Sequence, residues 1–368
     1  MMKAINCLLV SAALFAAAVS CGENESPRNP FVAPFGQFTE PILCTVTPSG
    51  WLAEALDVSG EVDSTCFKAL KASFENTLDP AIPAALEDYY TDLMAGADYL
   101  PTVDDIEGML WTYSRTANKD LLDGAICAFG YLESESVAEY MKIPILLYSY
   151  TGDESYLNIA YNAEAAMVDF STKDPDAAVQ YAWTMGQFLL TTGHAHWADN
   201  IEDVVFNMTD APAELYRDYA SRMWLTGSHI NEVVAALYGP STATFKLEDD
   251  VQATIVENTE YPSGKEIDFE FTMSKPASFP FTFRVPAWAK NIEVLVNGEP
   301  LTLGSTREKW ESVSIDELNA LESTVECPEC SGEYDYCSDF YTIERKFRTG
   351  DVVTLILSEG CCDCYDCE

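Results

Sequence analysis

The sequence predicts an α+β multidomain chain: an α/α toroid followed by an antiparallel β-sandwich. Three observations carry this expectation. A helix–turn–helix unit recurs through the middle of the chain. From Ser241 onward the apolar period changes from that of helices to two residues. The chain has 368 residues, 48% of them hydrophobic, enough for two or three domains with sizeable cores.

The repeat is plainest at Thr151-Gly152-Asp153, with an apolar run at 143–150 before it and Tyr156 to Ala160 after it. Gly152 can take the left-handed conformation that stops a helix, and Asp153 can cap the next one. Residues 189–194 lead in the same way into Trp197 and 201–206, and residues 114–118 into Leu121-Leu122. Aligned on Thr116, Thr151 and Thr192, the copies are 35 and 41 residues apart, the period of a two-helix array. Apolar residues at helical spacing predict helices over 67–78, 84–95, 104–114, 119–131, 137–150, 154–170, 176–190, 198–206 and 213–223. Alternation predicts strands over 242–247, 251–256, 266–273, 279–285, 291–296, 310–315, 341–347 and 352–357, with Asn297-Gly298 as a hairpin turn. Short strands at regular spacing read as a sandwich.

The N-terminus reads as an export signal, with Lys3 ahead of a short apolar stretch at 8–19. Ala18-Val19-Ser20-Cys21-Gly22 resembles a bacterial lipobox, which makes Cys21 a lipidation site, and ordinary cleavage nearby is the alternative. The domain plan is therefore a signal peptide and lipobox at 1–21, a tether and extended arm at 22–44, the toroid at 45–235, the sandwich at 236–358 with a Cys-rich insertion at 323–338, and a Cys-rich tail at 359–368. The expected location is outside the cytoplasm, as a cell-surface lipoprotein or a secreted protein, meeting a membrane only through a lipid anchor.

Sixty acidic against 20 basic residues give a formal net charge of −40. This excludes nucleic acid as a partner, since phosphates need a positive surface. Twelve cysteines are present. Cys127 lies in an apolar helical stretch and reads as a buried thiol. Cys44, Cys66, Cys327, Cys330, Cys337, Cys361, Cys362, Cys364 and Cys367 are disulfide candidates, the default in an exported chain. The two Cys-x-x-Cys pairs also match zinc-ribbon spacing, so a metal-binding or redox role through the C-terminal cysteines stays open.

Several ordered segments resemble glycoside hydrolase family 127, which includes β-L-arabinofuranosidases. They are Pro48-Ser49-Gly50-Trp51-Leu52, Lys142-Ile143-Pro144 through Tyr156-Leu157, Thr192-Gly193 through Asn207, Leu237 to Ser241, Ile255 to Pro262, Phe283-Arg284-Val285-Pro286-Ala287-Trp288-Ala289, and Val296 to Pro300. The resemblance implies an (α/α)6-type toroid plus sandwich and a carbohydrate as partner. Its characterised members use a zinc-bound cysteine as nucleophile, with ligands from a Glu-x-Cys motif and from adjacent cysteines before the sandwich. Here the first region reads Asp174-Pro175-Asp176-Ala177-Ala178, and no cysteine lies between Asn207 and Leu237. The ligand motifs for zinc are thus absent, the segment holding the acid/base glutamate is missing, and the helices are too few for a closed ring. The chain reads as an abridged member.

A glycosidase without a zinc thiolate needs two carboxylates flanking the bond. Glu139, Asp105 and Glu107 are candidates, the last two on a helix that carries Trp111 and Tyr113, rings on which a sugar could stack. The structural alternative is that these acids cap helices and the rings fill the core. His194, His196 and Asp199 form a His-x-His-x-x-Asp pattern that could ligate zinc, although His194 stands where the helix cap stands in the neighbouring copy. Two functions follow: an exported hydrolase-like protein acting on or binding arabinofuranoside-type glycans, or a non-catalytic glycan-binding surface lipoprotein on the same scaffold.

Overall fold

The computed structural model describes residues 33–41, 46–56, 79–96, 99–132, 137–167, 175–228, 231–289, 291–301 and 338–358, with side chains of the fifth segment described over 142–164. The chain divides into two compact units, one holding the described residues 79–132 and the other the remaining described segments. Of the cysteines, Cys127 alone lies among the described residues, and it is exposed. The expectation of a buried thiol is corrected: Leu121, Leu122, Ala125, Ala128 and Phe129 form the buried side of its helix, and residue 127 falls outside that stripe. Cys21 and the nine disulfide candidates lie outside the described residues, as do helix 67–78 and strand 310–315.

Nine α-helices occur among the described residues. They are α1 (Gly50–Leu56), α2 (Ala81–Met94), α3 (Val103–Thr116), α4 (Lys119–Phe129), α5 (Val137–Thr151), α6 (Glu154–Met167), α7 (Pro175–Thr192), α8 (His196–Asn207) and α9 (Ala213–Ser221). None is long and apolar enough to cross a membrane. In the first unit α2, α3 and α4 pack together, with the Tyr90 ring against Gly108 and the Asn118 amide donating to Glu87. In the second unit α5 and α6 form one hairpin, α7 and α8 another, and α5 packs on α7.

The threonine of each repeat copy does the same local work. Thr116, Thr151 and Thr192 each donate their hydroxyl to the carbonyl four residues back, Thr112, Leu147 and Phe188. Each then accepts the N–H two residues ahead, from Asn118, Asp153 and His194. The residue between is left-handed, at φ 57° for Ala117, 68° for Gly152 and 72° for Gly193. Its N–H returns to the carbonyl four residues back, which ends the helix. Asp153 and Asn118 then cap the following helix through Ser155 N–H and Asp120 N–H, each carboxylate or amide oxygen accepting.

The strands are β1 (Phe38–Thr39), β2 (Val46–Pro48), β3 (Trp224–Gly227), β4 (Val233–Ala235), β5 (Ser241–Leu247), β6 (Val251–Thr259), β7 (Glu266–Met273), β8 (Ala277–Val285), β9 (Asn291–Val296), β10 (Glu299–Pro300), β11 (Asp339–Phe347) and β12 (Val352–Ser358). One sheet runs β1-β3-β4-β8-β11 and the other β10-β9-β12-β7-β6-β5-β2. All pairs are antiparallel except β4 with β8. Alternate residues of β5, β6 and β7 point inward, as the period of two requires. Phe269 and Phe271 of one sheet meet Phe281 of the other edge to face, and Phe271 stacks on Phe347. The sheets also take strands from before residue 236, which sequence periodicity did not single out: β1 to β4 span two to four residues, too few to show alternation.

Strand β8 is buried from Phe279 to Val285 on both faces. Phe279, Phe281 and Phe283 alternate with Thr282 and Arg284. The second set faces away from the sandwich interior, and it positions the site described next.

A buried carboxyl–arginine cluster between helix α8 and the sandwich

Arg284 is completely buried. An isolated charge there would be untenable, so its partners define the cluster. Its guanidinium forms ion pairs with Asp199 and with Glu202, three residues apart on α8 and therefore on one helix face. Its Nε donates to the Ala236 carbonyl at 2.7 Å. The Tyr238 hydroxyl donates to the Arg284 carbonyl. Asp199 also accepts the Ala287 N–H at 3.4 Å, and Glu202 accepts the Tyr261 hydroxyl at 2.6 Å and that of Tyr219 at 3.4 Å. Tyr219 lies 2.8 Å from the Tyr238 carbonyl, which it can also reach as donor. Trp288 donates its indole N–H to the Tyr261 oxygen at 3.4 Å, and Lys265 sits 4.9 Å over the Trp288 ring.

Burial pushes the Asp199 and Glu202 carboxyls up, while the Arg284 guanidinium pulls both back toward the ionised form. Burial likewise pushes Tyr219, Tyr238 and Tyr261 above the ordinary phenol range. A third carboxyl, that of Glu257 of β6, is buried, and accepts the Gly239 N–H at 3.0 Å and the Ser241 hydroxyl at 3.3 Å. The cluster fastens α8 and α9 to strands β6 and β8 and to the link after β4. Both α8 carboxylates are committed to one guanidinium, which leaves neither placed as a lone acid or base for a substrate.

The residues singled out from sequence are not gathered here, Asp199 excepted. His194 and His196 have ring centroids 5.7 Å apart, and the His196 ring lies 4.0 Å from that of Trp197. Asp199 turns to Arg284, and among the described residues no group of three His, Cys, Asp or Glu is placed to hold a metal ion. Asp105 closes a capping box with Thr102, accepting its N–H at 3.0 Å and its hydroxyl at 2.8 Å. Glu107 and Trp111 are buried on α3, with Arg115 4.9 Å over the Trp111 ring, and Tyr113 is half-buried. Glu139 lies on α5, and its side chain is outside the described residues. Sequence reasoning missed Arg284, Glu257 and Tyr261. A signal existed: an arginine in the otherwise apolar run Phe281-Thr282-Phe283-Arg284-Val285 demands a buried counter-charge.

Residues 232–319 match the profile described as beta-L-arabinofuranosidase, GH127 middle domain. None of the curated proteins matches the sequence. Among solved structures, a GH127 beta-arabinofuranosidase is similar at 15% identity and a TM-score of 0.59, over 79% of this chain and 58% of its own. A second, described as a glycoside hydrolase, is similar at 12% identity and a TM-score of 0.53, over 89% of this chain and 79% of its own. The chain thus spans less than two thirds of the first of these proteins, and at such identities the likeness is one of fold. The matched middle domain contains β4 through β10, including the strand that carries Arg284, and it makes this chain a GH127-like protein.

Proposed function

We propose that this is an exported, GH127-like protein that binds arabinofuranoside-type or related glycans without hydrolysing them, anchored through Cys21. The match of residues 232–319 to a beta-L-arabinofuranosidase domain carries the glycan part of this reading. Two features favour binding over turnover. The Glu-x-Cys and paired-cysteine motifs of the resembled family have no counterpart at the corresponding positions of this sequence. Asp199 and Glu202 of α8 serve Arg284, and two carboxylates that share a guanidinium do not flank a glycosidic bond as hydrolysis requires.

The test uses the full chain purified after removal of its N-terminal signal. Zinc content by mass spectrometry, release of L-arabinose from synthetic arabinofuranosides and binding on a glycan array are measured on one preparation. Binding of furanoside-containing glycans without stoichiometric zinc or turnover is the expected result. Turnover with bound zinc would overturn the non-catalytic reading, and failure to bind any glycan would overturn the carbohydrate reading itself.

A further inference from the structure

Glu257 stands apart from the other acids of the cluster. It is 1% exposed, and among the described residues its two carboxyl oxygens meet only neutral donors, Gly239 N–H at 3.0 Å and the Ser241 hydroxyl at 3.3 Å. The cluster's guanidinium is occupied by Asp199, Glu202 and the Ala236 carbonyl. The Ser241 oxygen in turn accepts the Trp224 indole N–H at 2.9 Å. That hydroxyl can therefore either donate a hydrogen bond to Glu257 or accept one from its protonated carboxyl. The charged and titratable groups that face Glu257 are Glu202 from α8, Tyr219 from α9 and Tyr238 from the link. None brings a positive charge. Among the described residues Glu257 thus has no guanidinium of its own, and an ionised Glu257 would be an uncompensated buried charge beside the Glu202 carboxyl.

We propose that Glu257 is held protonated in the folded protein at neutral pH, and that this neutral carboxyl clasps the link from Ala236 to Ser241 onto the seven-stranded sheet. The link is where the chain passes from β4 of the five-stranded sheet into β5 of the seven-stranded one, and its Pro240 carbonyl also accepts the Ser49 N–H at 2.7 Å. As the pH rises the proton is lost, the clasp gains a buried negative charge, and the link loosens.

Burial, with Glu202 adding to it, pushes Glu257 well above the ordinary glutamate range, against the pull of its two donors. A carboxyl raised on folding stabilises the folded state fully below its unfolded value near pH 4 and loses that contribution as the pH climbs through its folded value. The window therefore opens above about pH 4 and extends through neutrality.

Two measurements test this on the full chain. Infrared spectra at neutral pH should show the carbonyl stretch of a protonated buried carboxyl, present in the folded wild type, gone on unfolding and missing in Glu257→Gln. Urea unfolding in about 1 M salt, which screens general repulsion, should show the wild-type folding constant falling between about pH 5 and 8, by up to about tenfold per pH unit for each proton held. Glu257→Gln, which mimics the protonated acid, should fall less steeply. A wild type with no such band overturns the proposal whatever the variant does. So does a Glu257→Gln slope equal to that of the wild type.

Discussion

Arg222 shows how a single residue dictates its neighbours. Its guanidinium is 2% exposed, donates to the Asp218 carbonyl at 3.1 Å and the Ser221 hydroxyl at 2.9 Å, and lies 3.4 Å from the Glu40 carboxylate. To reach this position the side chain crosses directly over Gly186 of α7, where a Cβ would fall 1.8 Å from its Nε. Glycine in a helix interior is otherwise unfavourable, so its presence here answers a close approach. Gly186→Ala should destabilise the chain by about 1–3 kcal/mol through forced displacement of a pinned side chain. Equilibrium urea unfolding measures this, and the penalty should shrink in an Arg222→Ala background because the colliding atoms are gone. An undiminished penalty would mean that the helix backbone itself resists the change. Tyr219→Phe makes a finer probe. It removes the donor shared between the Tyr238 carbonyl and Glu202 and should cost about 1 kcal/mol.

The elements obey signals that act over a few residues, which is why most of them could be read in advance. Helix boundaries in α3, α5, α7 and α8 lie within a few residues of the expected ones, because apolar spacing marks all four and the left-handed residues Ala117, Gly152 and Gly193 end the first three. The same locality explains what escaped. Strands β1 to β4 owe their existence to partners far along the chain, as Phe38 pairs with Gly227 and Val233 with Phe281. The Arg284 cluster joins residues up to 88 positions apart, and no local pattern encodes such a meeting. Asp105 tests the distinction between an element's needs and a site's. Because its carboxylate completes the capping box of α3, Thr102→Ala should weaken that helix start by about 1 kcal/mol, visible as faster hydrogen exchange over residues 103–106. Glycan binding should stay unchanged in Thr102→Ala, and a loss would instead place this helix end in the binding surface. The Asn297-Gly298 turn offers a second case. The Asn297 side chain donates to Asp351 at 2.9 Å and accepts the Val352 N–H at 2.8 Å. It thereby ties the β9–β10 hairpin to the start of β12, and Asn297→Ala should cost about 2 kcal/mol from two lost hydrogen bonds.

At the scale of the whole molecule the dominant physical fact is the charge. Forty more negative than positive groups repel one another across a folded chain and are farther apart in an unfolded one, so compaction carries an electrostatic cost. Surface ion pairs such as Lys119–Asp123 and Arg217–Glu214 return little, since both are solvent-exposed. The buried pairs of Arg284 are shielded from salt by the protein around them. Added salt therefore acts mainly on the repulsion, because the screening length falls from about 30 Å at 0.01 M to about 3 Å at 1 M. The thermal midpoint should rise steadily over that range at constant pH. Sodium, potassium and choline chloride should give the same rise at equal ionic strength, since screening depends on charge alone. A rise specific to one cation would point instead to ion binding among the carboxylates. A falling midpoint would mean that attractive pairs, and not the net charge, govern the electrostatics of this fold.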